Sequence, residues 1–166
     1  MMTVLHTAYS AYQRLICQLV AGVFTAVLIP LSWRLHGPQG VAEQLRFLQD
    51  LPGGTLGRAV ADCLQAHALE LIPGYEDHDL KHVLLGYAMT PEDELKLKAF
   101  ALGNGDYTPL TLALVGTGLL LPALWPELRA HYRRGRRVPP GVYRWRLRDY
   151  ATRDLAALRR EIGLAA

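Results

Sequence analysis

The stretch Tyr75-Glu76-Asp77-His78-Asp79-Leu80-Lys81-His82-Val83-Leu84-Leu85-Gly86, followed after three residues by Thr90-Pro91-Glu92-Asp93-Glu94, reads as two helices joined by a tight turn. Leu80, Val83 and Leu84 form one apolar side at helical spacing, and Gly86 stops the first helix. Thr90 is a cap, Pro91 fits the first helical position, and three acids fall in the first turn, where the helix dipole favours them. Asp77 reads as the N-cap of the first helix.

Outward from this hairpin the same punctuation repeats. Val41, Leu45 and Leu48 lie at helical spacing before the stop Asp50-Leu51-Pro52-Gly53-Gly54. Thr55 caps a helix over 56–68, and the helix that starts at Thr90 runs through Leu95, Leu97 and Phe100 to the turn Gly103-Asn104-Gly105-Asp106. After Pro139-Pro140-Gly141, Tyr143, Trp145 and Leu147 alternate with Arg144, Arg146 and Arg148, a short extended stretch ahead of a last helix over 152–162. No alternating run is flanked by hairpin turn pairs, so the fold class is all-α. The expected architecture is a single compact helical domain, 1–166. It has an apolar N-terminal helix within 1–40, a core over 41–126 and a basic segment over 127–166.

Composition sets the limits. With 51% hydrophobic and 20% charged residues among 166, the chain is neither disordered nor a polytopic membrane protein. Cys17 and Cys63 both sit in apolar stretches, which excludes a disulfide scaffold and fits a cytosol-facing protein. The formal charge of +3 hides an asymmetry. Residues 1–126 sum to −4 and residues 127–166 to +7. Two uncharged runs, 15–33 and 107–126, are long enough to cross a bilayer, but polar residues, Pro30, Pro109 and Pro122 interrupt them. They read as buried or membrane-resting helices rather than true spans, and no signal-peptide pattern accompanies the first.

The hairpin also carries chemistry. Residues four apart on a helix are separated by about 40 degrees, so His78 and His82 face one point with Asp79 near the same arc. A helix presents a histidine pair to zinc with this spacing. The turn can fold Glu94 back onto the pair as a further ligand. Imidazole and carboxylate donors suit zinc foremost, and ligand type leaves iron, manganese and cobalt open. The spacing fits equally well a chance histidine pair beside acids placed by the helix dipole. A zincin-type hydrolase fits less well, because Asp79 is one carbon shorter than the usual Glu base and the third-ligand spacing differs.

His78-Asp79-x-x-His82, eleven residues, then Glu94 resembles the signature of the ubiquinone (coenzyme Q) biosynthesis family usually called Coq-four. The segments Leu51-Pro52-x-Gly54-Thr55-x-Gly57-Arg58, His82-x-Leu84-Leu85-Gly86 and Lys98-x-Phe100 are similar to what surrounds it there. The likeness covers about 41–126 and suggests a distant, short, bacterial-type member. It implies an all-α, membrane-associated protein holding a divalent metal, zinc foremost, through His78, Asp79, His82 and Glu94. It further implies a polyprenylated benzoquinone precursor as substrate, with metal-dependent oxidative decarboxylation of a prenylated hydroxybenzoate at ring carbon one. A non-catalytic role as an isoprenoid-binding scaffold for other quinone-biosynthesis enzymes is the alternative. The uncharged runs supply helices to line a groove for a polyprenyl tail.

Arg129, His131, Arg133, Arg134, Arg136 and Arg137 crowd into nine residues, and six arginines follow from Arg144 onward. Such a cluster suits an anionic membrane surface, at about 1 kcal/mol per basic group. Nucleic acid ranks lower, because no zinc-finger or helix-turn-helix signature accompanies the charge. The expected setting is cytoplasmic, peripherally associated with the inner membrane, as an assembly of identical chains.

Overall fold

A computed structural model describes residues 2–164 and contains no strand among them. Helix α1 (Met2–Val23) passes through a π-helical segment (Phe24–Leu28) into α2 (Ile29–His36). There follow α3 (Val41–Asp50), α4 (Leu56–Ala66), α5 (Glu76–Leu85), α6 (Pro91–Gly103), α7 (Pro109–Gly118) and α8 (Trp125–Arg137). Two short helices, α9 (Leu147–Tyr150) and α10 (Leu155–Glu161), close the chain.

Helix starts are fixed by side-chain caps. Thr55, Thr90, Thr108 and Asp154 each accept a hydrogen bond from the backbone N–H three residues on. Asp77 does not cap α5. Its Oδ1 accepts from Leu147 N at 2.7 Å, tying α5 to the start of α9. The alternating stretch around Tyr143 is not extended either. Val142–Arg144 is a 3₁₀ turn that follows Gly141 in the left-handed region (φ 89°). Asn104 Oδ1 accepts from Tyr143 N, so a side chain takes the place of a neighbouring strand. Trp145 stacks on Tyr150 at 4.1 Å between ring centroids, which turns the apolar members of the alternation inward.

The main core joins α3, α4, α5, α6 and the C-terminal helices through Leu48, Leu56, Val60, Leu80, Phe100 and Leu158, among others. Each fully buried Leu or Phe adds about 1.5–3 kcal/mol. A second cluster, Cys17, Leu95, Leu121 and Leu124, fastens α1 to α6 and the α7–α8 connection. Helices α6 and α8 cross closely at two glycines. A Cβ at Gly103 would strike the Tyr132 carbonyl, and one at Gly135 the Phe100 carbonyl.

Most of the first uncharged run is not core. Over its apolar helix, Ala11–His36, the most apolar window is 12% buried. Leu15, Leu19, Val23, Val27, Leu31 and Leu35 are all exposed at intervals of four. The far end of the helix is anchored, since Ser32 Oγ donates to the Pro73 carbonyl and His36 packs on Gly74. In the second run α7 also leaves apolar side chains exposed, including Leu112 and, beyond its end, Leu119 and Leu120. These two partly bare helices border the loop and hairpin that carry the candidate site.

Candidate metal centre

The hairpin forms as its sequence predicts. Gly86 adopts φ 74° and ψ 35°, which an L side chain would resist, and the chain turns so that Glu94, in the first turn of α6, reaches the histidines of α5. Three donors then converge. His82 Nε2 lies 3.1 Å from His78 Nε2 and 3.1 Å from Glu94 Oε2, and His78 Nε2 lies 3.0 Å from the same oxygen.

This triangle suits a divalent ion. An ion bonded at about 2.0–2.1 Å holds neighbouring donors about 3.0 Å apart at right angles and about 3.4 Å apart in a tetrahedron. The proton arrangement agrees. His82, only 2% exposed, turns Nδ1 toward the Tyr87 carbonyl at 3.4 Å. A carbonyl accepts only, so the proton belongs on Nδ1 and the lone pair of Nε2 faces the site. That lone pair and the Glu94 oxygen are both acceptors, and at 3.1 Å they repel unless a proton or cation lies between them.

Electrostatics point the same way. Burial pushes the His78 pKa down to about 4 against the pull of the Glu94 carboxylate, so the imidazole is neutral near pH 7. Burial works against ionised Glu94, but His78 and the ammonium of Lys98 outweigh it and hold the carboxyl well below its ordinary value. Lys98 Nζ stands 3.6 Å from Glu94 Oε1, a buried oxygen that has no hydrogen-bond partner among the described residues. Neutral imidazoles beside an ionised carboxylate form the donor set that a divalent ion takes.

Asp79 lines the same cavity but is not one of the three converging donors. Burial pushes its carboxyl up to about 7, opposed by His82 and reinforced by Glu76 and Glu94. The structure thus brings together His78, His82 and Glu94 and leaves Asp79 at their side.

The triad opens into a cavity of about 860 Å³, in the upper part of the range of about 300–1,000 Å³ common for small-molecule sites. Its walls are apolar: Leu19, Leu28 and Trp33 from the N-terminal helices, Leu69 and Ile72 from the α4–α5 loop, and Leu114 from α7. Tyr75, Met89 and Thr90 border the donor end. Leu19, Leu28, Trp33 and Leu114 lie in the two uncharged runs, but no sequence pattern placed Leu69, Ile72, Tyr75 or Met89 at the cavity, because they come from loops whose approach to the histidines is set by tertiary packing. Lys98 was within reach of a sequence reading, four residues after Glu94 on the same helical face.

No protein-family model matches this chain, and no curated protein matches it. Among solved structures it is similar to the crystal structure of a protein from Nostoc punctiforme PCC 73102 named "Putative ubiquinone biosynthesis protein". The TM-score is 0.59 at 20% identity, over 97% of this chain and 92% of that one. At this identity the likeness is one of fold, and the all-α architecture is common to both.

Proposed function

We propose that this chain is a divalent-metal-binding protein of quinone biosynthesis that takes a polyprenylated benzoquinone precursor from a membrane. The observation that carries the reading is the continuity of the donor triad with a long apolar cavity. His78, His82 and Glu94 would hold the ion, zinc foremost, with Asp79 beside it. When bound, the ion supplies Lewis acidity to an oxygen-rich ring. The cavity wall accounts for the other half of such a substrate, because a polyprenyl tail gains only by burial against hydrocarbon. The fold-level likeness to a protein named for ubiquinone biosynthesis supports the pathway. The reaction proposed is oxidative decarboxylation of a prenylated hydroxybenzoate at ring carbon one with dioxygen as the oxidant: the ring–carboxylate bond breaks and CO2 leaves, a ring C–O bond forms, and with water consumed the dioxygen leaves as hydrogen peroxide.

The surface around the cavity supports delivery from lipid. Leu19 and Val23 belong both to the exposed stripe of the N-terminal helix and to the cavity wall, and Leu110 and Leu120 do the same on the α7 side. A bilayer covering both patches would leave the cavity facing hydrocarbon. Arg129, Arg133, Arg136 and Arg137 are exposed on α8 and would meet anionic headgroups.

The test uses the full chain purified with its lipids. Elemental analysis is expected to give one divalent ion per chain, and mass spectrometry of the extract an isoprenoid quinone precursor. Vesicles carrying a prenylated hydroxybenzoate then separate turnover from retention alone. Absence of stoichiometric metal, together with unchanged lipid binding in the double variant His78→Ala, His82→Ala, overturns the proposal.

A further inference from the structure

The helix that carries both histidines ends in four carbonyls without an intrahelical partner, those of His82, Val83, Leu84 and Leu85. The chain itself satisfies the first, since Tyr87 N donates to His82 O at 2.9 Å. The other three are met by two arginines distant in sequence. Arg159 donates from Nη2 to Val83 O at 2.8 Å and from Nε to Leu84 O at 3.0 Å. Arg134 donates from Nη2 to Leu85 O at 2.8 Å.

Arg134 grips the residues beyond the helix as well. Its guanidinium lies over the Tyr87 ring, 5.3 Å from the centroid, and 5.8 Å from that of Phe100. The Tyr87 hydroxyl is 2.8 Å from His131 Nδ1, one turn back on the helix that bears Arg134. The turn 85–87 is therefore clamped to α8 from both ends, and α8 is seated on α6 by the close approach at Gly135. The carbonyl of this clamped Tyr87 is the group that His82 Nδ1 faces.

We propose that Arg134 is a positioning residue for His82: it fixes the Tyr87 carbonyl that keeps the imidazole proton on Nδ1 and the Nε2 lone pair on the side of Glu94. The inference rests on the metal-site reading above, because metal affinity is its functional consequence. Groups that orient a metal-bound histidine usually change affinity about 10- to 100-fold when removed. A lysine is not equivalent here, since it has no plane to lie over Tyr87.

Two measurements on Arg134→Met test this. The zinc dissociation constant, read by chelator competition, is expected to rise about 10- to 100-fold, while Arg46→Met, exposed on α3, leaves it unchanged. In metal-free protein, imidazole ¹⁵N spectra are expected to show a proton held on His82 Nδ1, which faces the Tyr87 carbonyl, in the wild type and partly lost from that nitrogen in the variant. A helical Arg134→Met protein with the wild-type constant and the wild-type His82 spectrum overturns the assignment. Should that variant not fold, Arg134→Lys replaces it with at least a threefold loss expected, and wild-type behaviour in both measurements is again the refutation. If the wild type takes up no zinc, the proposed function fails, and the metal-free spectra still decide the role of Arg134.

Discussion

Replacing Glu94 by Gln changes one charge and almost no volume, which makes it the sharpest perturbation of the donor triad. In the wild type the carboxylate meets both imidazoles, and Lys98, 14% exposed, stands 3.6 Å from its other oxygen. The amide leaves that ammonium largely buried and without its counter-charge. Stranding a charged group of this kind costs about 1–3 kcal/mol. At roughly 2–4 °C per kcal/mol for a chain of this size, metal-free Glu94→Gln should melt about 2–12 °C lower than metal-free wild type. Zinc adds a second difference. At a free concentration of about 100 times Kd, an ion that binds only the folded state stabilises it by about 2.7 kcal/mol. That corresponds to an upward shift of about 5–11 °C, and the variant, with two of three donors left, should lose nearly all of it. Calorimetry on chelator-stripped samples with and without zinc measures both quantities. A variant that keeps the full zinc shift refutes the assignment of Glu94 as a ligand, and one whose metal-free melting point is unchanged refutes the pairing with Lys98.

Further predictions rest on other parts of the molecule. Gly135→Ala should destabilise by about 1–3 kcal/mol, because the new methyl meets the Phe100 carbonyl at the α6–α8 crossing; urea denaturation with an unchanged midpoint contradicts this. In metal-free protein His78 takes a proton below about 6.5 when unfolded but only below about 4 when folded. With Asp79, whose raised pKa acts in the opposite direction over the same pH range, replaced by Asn, stability should therefore be full above pH 6.5 and fall by up to about 3 kcal/mol as the pH drops toward 4, and a urea midpoint of that variant flat from pH 7 to 4.5 would rule this out. Val27→Glu with Leu31→Glu places two charges on the exposed stripe and should abolish flotation with anionic vesicles; equal flotation excludes that face from docking.

The hairpin was legible because every signal it needs is local. Thr90 caps through its own hydroxyl, Gly86 takes the left-handed turn, and the histidines share a helical face within one turn. The all-α class followed from the same kind of reading. What failed had its cause elsewhere in the chain. Asp77 has the composition of a cap, but the N–H of Leu147, seventy residues away, takes its carboxylate. The alternation around Trp145 looks extended until Asn104 supplies the partner that a strand would have needed. The run 15–33 illustrates a different limit. An uncharged helix reads alike whether it is packed inside a domain or laid along its edge, and only the bare stripe from Leu15 to Leu35 separates the two.

The basic segment is where sequence and structure differ most instructively. A charge of +7 over forty residues suggests one surface for one anionic partner, yet its arginines divide into two populations. Arg134 and Arg159 turn inward and finish the helix that carries the histidines, taking three of its four terminal carbonyls. The other nine remain exposed, Arg129, Arg133, Arg136 and Arg137 among them on α8. Substitution within the two groups should therefore separate two properties. Changing these four on α8 to Glu should weaken binding to anionic vesicles steeply with salt and leave zinc affinity intact, since all four are exposed and the arginine hydrogen bonds to the end of α5 come from Arg134 and Arg159. Changing Arg159 to Met should do the opposite, lowering helix stability and zinc affinity while vesicle binding persists. If both sets of variants altered both properties together, the basic segment would be one functional unit, and the division drawn from its hydrogen bonds would be wrong.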